Sequence, residues 1–150
     1  MVEGIERKSV TCSFCFNDAN LVAYFVRTVK PFRYTWDTGT ENIIYGKTAE
    51  ASAMTLLKRK TRIRPSFIKI LSGIPLIDTW EWQIIPVLLR TEDGQDLTKC
   101  KASWISLNEL QNYEPPKDVH PVVLHVLNVY GSTMLGHVPP RSNVKNLMVL

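Results

Sequence analysis

Two runs rich in β-branched and aromatic residues stand near the start of the chain, at residues 9–16 and 21–26. Between them lie the turn-forming residues Asn17, Asp18 and Asn20. Two strand-forming runs joined by such a short polar segment pair as an antiparallel hairpin. We therefore predict that this part of the chain folds as a β-hairpin.

Residues 46–63 follow a helical spacing instead of an alternating one. Gly46 suits a turn with positive φ, Thr48 is a suitable N-cap, and Glu50 suits the positive end of a helix. Apolar residues three and four apart predict one buried face, formed by Ala53, Leu56 and Leu57. The last turn is basic and carries Lys58, Arg59, Lys60 and Arg62. Pro65 is expected to end the helix.

The second half of the chain contains further strands and a closing helix. Residues 67–70 and 80–89 are strand-like, and Pro86 within the second run indicates an edge position or a bulge. Asp118 is predicted to cap a helix that has Gly131 as its C′ residue. The packed face of this helix consists of Val119, Val122, Val123, Val126, Leu127 and Tyr130. This mixture of elements predicts an α+β domain.

Composition narrows the class of protein. The chain has 150 residues, of which 45% are hydrophobic and 21% charged, so we expect one globular domain of ordinary size. No apolar run approaches the roughly 18 residues of a membrane helix, and the first residues lack the apolar core of a signal peptide. The expectation is a soluble, intracellular protein, cytoplasmic by default, without a membrane partner. A formal net charge of +4 favours anionic partners.

The chain contains three cysteines, which argues against a disulfide scaffold. Cys12 and Cys15 form a C-x-x-C motif, but they lie on a predicted strand and would point to opposite faces of it. No second Cys/His pair follows at the spacing of a zinc site. We therefore interpret them as structural thiols.

Residues 46–63 resemble the back of the Nudix box, whose consensus is Gly-x5-Glu-x7-Arg-Glu-U-x-Glu-Glu-x-Gly-U with U an aliphatic residue. In an ungapped alignment the matching residues are Gly46, Thr48, Glu50, Ala53, Leu57, Thr61 and Ile63. A second segment is similar to the family's tryptophan motif, through Trp104, Ile105, Ser106, Leu107, Glu109 and Leu110. The resemblance spans residues 9–130. It implies a Nudix-like α/β/α sandwich with a mixed β-sheet.

The positions that carry the family's chemistry differ in this chain. Thr55 and Leu56 stand where the box has its Arg-Glu pair, and Arg62 replaces the late glycine. Arg59 and Lys60 stand where the box has its metal-binding Glu-Glu pair. Leucine offers no ligand to Mg²⁺, and two cations would repel it. The resemblance therefore implies a pseudoenzyme, a Nudix fold without its catalytic glutamates, and we predict no catalytic residue, no metal site and no cofactor.

A nucleotide or RNA is the ligand that we expect for such a fold, bound in a basic, aromatic-lined pocket. Aromatic rings stack on bases, and cations face phosphates directly. The predicted binding residues are Arg27, Arg33, Trp36, Tyr45, Arg59, Lys60, Arg62 and Trp80. A competing explanation for the basic segment is a solvated helix end, where the helix dipole favours cations.

Two other functions stay open. The first is a structural or interaction subunit that uses the Nudix fold as a scaffold. We divide the chain into a Nudix-like domain, residues 1–131, and a C-terminal extension, residues 132–150, whose apolar end is expected to dock on this chain or on a protein partner such as a second copy. The second is a divergent hydrolase of the nucleoside-diphosphate type that finds its carboxylates elsewhere. The candidate acids are Asp37, Glu41, Glu50, Glu81 and Glu114.

Overall fold

The computed structural model describes residues 8–30, 32–43, 46–75, 82–91, 102–112 and 119–139. The strands are β1 (Lys8–Phe16), β2 (Val22–Val26), β3 (Trp36–Asp37), β4 (Thr40–Asn42), β5 (Ser66–Ile70), β6 (Ile74–Pro75), β7 (Trp82–Arg90) and β8 (Ala102–Ile105). The helices are α1 (Ala49–Thr61), α2 (Leu107–Gln111) and α3 (Pro121–Tyr130), followed by a 3₁₀ turn (Met134–His137). No helix in these ranges is long and apolar enough to cross a membrane.

The eight strands form one sheet with the central order β3-β2-β1-β7-β5. β4 also pairs with β1, β6 with β7, and β8 with β2. β1 and β7 run parallel over their whole length, from Lys8 opposite Trp82 to Phe16 opposite Arg90. The other paired strands are antiparallel. The sheet is therefore mixed.

Two apolar layers cover the two faces of the sheet. On one face, α1 packs through Ala53 and Leu57 against β1, β2, β7 and β8. On the other face, α2, α3 and the 3₁₀ turn pack together, and Met134 is fully buried in this second layer. Cys12 lies in the second layer and Cys15 in the first, so the two thiols do point to opposite faces. The predicted α+β class and the α/β/α layering are confirmed.

The N-terminal hairpin and the central helix form as predicted. β1 and β2 pair at Phe16 and Val22 across the turn. Thr48 caps α1, because its side chain accepts a hydrogen bond from the backbone N–H of Ala51. The helix ends at Thr61, before Pro65, because Arg62 adopts the left-handed conformation at φ 59° and closes the last turn. Positive φ at the end of a helix is the conformation that glycine adopts most readily.

Two details of the prediction are wrong, and a third is decided between its two alternatives. Pro86 does not lie on an edge strand, because β7 has β1 on one side and β5 and β6 on the other. It falls instead at an irregularity of the pairing, between Ile70 opposite Val87 and Ile74 opposite Ile84, where the register shifts by one residue. The cap of α3 is His120, whose Nδ1 accepts from the backbone N–H of Val122. Asp118 lies outside the described residues. Gly131 has a right-handed φ of −54°, so the conformational freedom of glycine is not what that position uses.

Candidate functional site

A cavity of about 860 Å³ opens beside the N-terminal half of the sheet. β1 and β2 pair with each other next to the hairpin turn. Away from the turn, the first half of β1 pairs with β4 and the end of β2 pairs with β3. The cavity forms where β1 and β2 take these different partners. Helices α1 and α3 close its sides. Its apolar surface comes from Val10, Phe25, Val29, Phe32, Leu56, Trp82 and Val122. Its polar surface comes from Arg27, Lys30, Asp37, Thr40, Glu41, Asn42, Arg59, Lys60 and His120.

Arg27 and Asp37 form an ion pair in the wall of the cavity, which we call the inner pair. Arg27 Nη1 lies 3.2 Å from Asp37 Oδ2, and the two side chains are only 14% and 1% exposed. The other carboxylate oxygen, Oδ1, accepts hydrogen bonds from the backbone N–H of Gly39 and the hydroxyl of Thr40, both at 2.8 Å. Arg27 Nη1 also donates to the carbonyl of Thr40 at 3.1 Å. The inner pair thus fixes the short connection from β3 to β4.

His120 is buried beside the inner pair, with 2% of its surface exposed. Burial lowers the pKa of its imidazole, Asp37 opposes that shift, and Arg27 adds to it. Because Nδ1 accepts a hydrogen bond as the cap of α3, the neutral ring carries its proton on Nε2. The ring of Phe32 meets this imidazole edge-on, with the centroids 5.0 Å apart. The buried environment therefore favours the neutral form of His120, and Phe32 packs on its ring.

Arg59 and Glu41 form a second ion pair at the cavity, which we call the outer pair. Arg59 Nη2 lies 3.0 Å from Glu41 Oε1, but the side chains are 57% and 30% exposed. Lys60, on the same helix, and Lys30, after β2, also line the cavity, and within the described ranges neither has a carboxylate partner. Four cations thus face the cavity with two carboxylates, so its polar surface is positive overall.

The cavity brings together three of the predicted binding residues: Arg27, Arg59 and Lys60. The others that the structure describes do not line it. Arg33 is exposed, with its guanidinium 5.9 Å from the ring centre of Tyr34. Trp36 packs edge-on against Tyr24 at 4.7 Å. Arg62 is the exposed C-cap of α1, and the remaining two predicted residues, Tyr45 and Trp80, lie outside the described residues.

Sequence reasoning missed several residues of the cavity. Asp37 was named only as a candidate acid for hydrolysis, although an aspartate two residues before a glycine is a common side-chain turn signal. His120 directly precedes Pro121, a residue favoured at the first position of a helix, so its capping role also had a local signal. Lys30 and Phe32 had no such signal, because nothing in their spacing along the chain places them at the cavity.

Cys12 and Cys15, the two cysteines that the structure describes, do not line the cavity. Burial raises the pKa of the Cys15 thiol to about 12. Burial also raises the pKa of the Cys12 thiol, and the nearby negative charge of Asp37 raises it further. A thiol reacts and binds metal as the thiolate. Both groups therefore stay protonated and pack as small apolar side chains.

Solved structures share this arrangement of strands and helices. The Nudix hydrolase RenU from M. smegmatis has a TM-score of 0.65 at 10% identity, covering 93% of this chain and 92% of that one. A NUDIX hydrolase from Nitrosomonas europaea has 0.65 at 14% identity, covering 90% and 75%. The C. elegans Ap4A hydrolase has 0.59 at 9%, covering 84% and 97%. At these identities the likeness establishes the fold: the chain has the fold of the Nudix hydrolases.

No protein-family profile matches the chain, and no curated protein matches it by sequence. The predicted Nudix fold is nevertheless confirmed by the structures above. The site must therefore be interpreted from its own residues, because a shared fold does not determine a shared activity.

Proposed function

We propose that this protein binds a nucleotide or RNA in the cavity, holds its phosphates directly with lysine and arginine, and does not hydrolyse it. The observation that carries the proposal is the chemistry of the cavity surface. Apolar and aromatic side chains offer a place for a base, and among the described residues four cations and two carboxylates line the same cavity, each carboxylate already in an ion pair. A ligand that is aromatic at one end and anionic at the other fits both parts of this surface.

The non-catalytic part of the proposal rests on one face of α1. In the alignment with the Nudix box, three carboxylate positions are occupied by Leu56, Arg59 and Lys60, and all three line the cavity. Arg62, which is aligned with the late glycine of the box, has a positive φ. This is the backbone conformation that glycine adopts most readily. This agreement supports the register of the alignment. In this chain, the helix face that is aligned with the metal-binding positions of the Nudix box thus carries a leucine and two cations.

The described carboxylates among the candidate acids do not fit a magnesium site, and the other two candidates, Glu81 and Glu114, lie outside the described residues. Mg²⁺ in enzymes of this kind needs at least one or two free carboxylates besides the phosphates of its substrate. Glu41 is engaged by Arg59, and Asp37 is buried with both of its oxygens hydrogen-bonded. Glu50, in the first turn of α1, does not line the cavity. In the ranges that the structure describes, no three His, Cys, Asp or Glu side chains come together as a metal site.

Lys60 provides the test of phosphate binding, and Lys58 provides its matched control. Both are on the last turns of α1, but only Lys60 lines the cavity. We expect Lys60→Glu to weaken binding of a fluorescently labelled oligouridylate by at least about 10-fold and to reduce the slope of log K against log salt by about 1. Lys58→Glu has the same charge change and is expected to alter affinity only slightly. Equal losses in both variants, or affinity independent of salt, would contradict the proposal.

A second function has its own support, at the opposite edge of the sheet. β5 is paired with β7 alone among the described strands and exposes Phe67 (38%) and Ile70 (42%), a surface suited to a protein partner. An interaction subunit would use this edge. The predicted apolar end of the chain is a separate candidate contact, and deletion of residues 140–150 tests it. The deletion starts at residue 140 because Met134 and Val138 belong to the hydrophobic core. The division into a domain, residues 1–131, and an extension, residues 132–150, stays a prediction. A change of oligomeric state in light scattering would favour this function.

A further inference from the structure

The segment that joins β2 to β3 carries aromatic and basic residues in alternation. Within this segment we call residues 29, 30 and 32–35 the aromatic loop. Its large apolar side chains are unusually open to solvent: Val29 is 49% exposed, Phe32 48% and Tyr34 74%. Lys30 and Arg33, also exposed, stand between them. Such a surface offers flat rings and positive charge side by side.

The aromatic loop has a backbone conformation that large side chains rarely adopt. Phe32 and Tyr34 have φ of 63° and 71°, in the left-handed region that favours glycine. Strain of this kind persists only where surrounding contacts impose it, and it is concentrated at functional sites. Burial of the Tyr34 side chain does not offset this strain, because three quarters of its surface is in solvent.

Arg27 holds the aromatic loop in this shape. Its backbone carbonyl accepts from the N–H of Tyr34 at 2.6 Å, its backbone N–H donates to the carbonyl of Thr35 at 2.8 Å, and its Nε donates to the carbonyl of Val29 at 3.1 Å. The inner pair anchors this same arginine to Asp37. The loop is therefore held in place before any ligand arrives, which lowers the entropy cost of binding.

Only one of the two rings of the loop lines the cavity. Phe32 belongs to the cavity wall and packs on His120. Tyr34 does not line the cavity, and the Arg33 guanidinium lies 5.9 Å from its ring centre. A mononucleotide in the cavity would leave Tyr34 and Arg33 unused. A strand that continues out of the cavity would meet a ring for its next base and a cation for the phosphate between.

We propose that the ligand is single-stranded RNA of two or more nucleotides, with one base in the cavity and the adjacent base stacked on Tyr34. This inference rests on the proposed function and names its ligand more closely. Unpaired bases are required, because a base within a duplex presents no free face to a tyrosine.

The test compares uridine monophosphate with labelled single-stranded oligouridylates of two to six nucleotides, using wild type and Tyr34→Ala. We expect affinity to rise with the second nucleotide and Tyr34→Ala to remove about 10-fold of it, the usual effect of losing one stacked base. Affinity for the mononucleotide should not change. Tyr34→Phe keeps the ring and should retain the wild-type affinity, and Phe67→Ala removes an exposed ring remote from the cavity and should do the same.

Each other outcome has a definite meaning. Mononucleotide binding that chain length does not improve, or equal binding of single-stranded and duplex RNA, overturns the inference and leaves the proposed function standing. If the protein binds none of these probes, both the inference and the proposed function are overturned. If Tyr34→Ala leaves RNA affinity intact and instead changes the oligomeric state, the loop is a protein contact and the inference is wrong. Melting temperatures of the variants verify that each is folded.

Discussion

The inner and outer pairs have almost the same separation, 3.2 and 3.0 Å, yet they are different kinds of interaction. The inner pair is nearly removed from solvent, and each of its members makes further hydrogen bonds to the backbone around it. The outer pair is exposed, and it joins β4 to α1 through a single contact. The inner pair is a fixed part of the cavity wall because it is buried and has additional hydrogen-bond partners. The outer pair has neither property, so a bound ligand can rearrange it although its separation is nearly the same.

This difference assigns separate tasks to the cations of one cavity. The Arg27 side chain is held by its hydrogen bonds to the cavity wall and the aromatic loop. It can therefore attract a phosphate through its charge, but it cannot reorient to bind one. Arg59 can exchange Glu41 for a phosphate at little cost, because an exposed ion pair typically contributes only about 0.2–1 kcal/mol. Lys60 has no carboxylate partner among the described residues, so it can bind a phosphate without such an exchange.

The largest expected effect follows from removing one member of the inner pair. Asp37→Ala leaves a nearly buried guanidinium without its carboxylate and removes the acceptor of Gly39 and Thr40. We expect the free energy of unfolding to fall by about 3–5 kcal/mol, measured by urea denaturation. Glu41→Ala is the matched change at the outer pair and should cost less than about 1 kcal/mol. Similar losses in the two variants would show that the pairs do not differ as described.

A pH titration of stability sharpens the account of the inner wall. Because burial lowers the pKa of His120 from its ordinary value near 6.5, the unfolded chain binds the proton more tightly than the folded protein does. The contribution of the neutral ring is therefore complete above about pH 6.5 and is lost as the pH falls below it, at no more than about 1.4 kcal/mol per pH unit for one proton.

The variant that isolates this titration is His120→Asn, since asparagine also caps helices well. We expect the free energy of unfolding of the wild type to decrease between pH 6.5 and 5 more steeply than that of the variant. Parallel curves for the two proteins would mean that His120 is not held neutral by the fold.

The smallest expected effect concerns the outer pair and ligand affinity. Glu41→Gln removes the carboxylate that competes with phosphate for Arg59, so affinity for oligouridylate should increase by about 2- to 5-fold, in line with the weak energy of an exposed pair. The increase should be lost at high salt, where such charges are screened. A decrease in affinity would indicate that Glu41 contacts the ligand or orients Arg59 towards it.

The part of the fold that sequence reasoning predicted is the part whose signals are local. The hairpin at residues 17–20, the cap at Thr48 and the apolar faces of α1 and α3 all follow from spacing within one element. The sequence of β7 could not decide between an edge and a bulge at Pro86, because a proline in an interior strand is tolerated where the neighbouring pairing is irregular, which depends on β5 and β6.

The candidate site was predictable only where it lies on such an element. Arg59 and Lys60 followed from the helical register of α1, and Arg27 from the end of β2. Trp36 and Arg33 carry suitable chemistry, but they do not line the cavity, because pairing of β3 with β2 turns Trp36 towards Tyr24. His120 and Phe32 come from distant parts of the chain, and only the packing of α3 against the sheet brings them to Asp37.

The most direct test of the central claim is the affinity of the wild-type protein for labelled oligouridylate in EDTA, compared with its affinity in Mg²⁺. Direct contacts from Lys60, Arg59 and Lys30 predict full binding in EDTA, weakened by monovalent salt, with Mg²⁺ acting only as a further screening ion. Binding that requires Mg²⁺, or release of nucleoside monophosphate when Mg²⁺ is added, would contradict the claim that cations of the chain have taken the place of a metal.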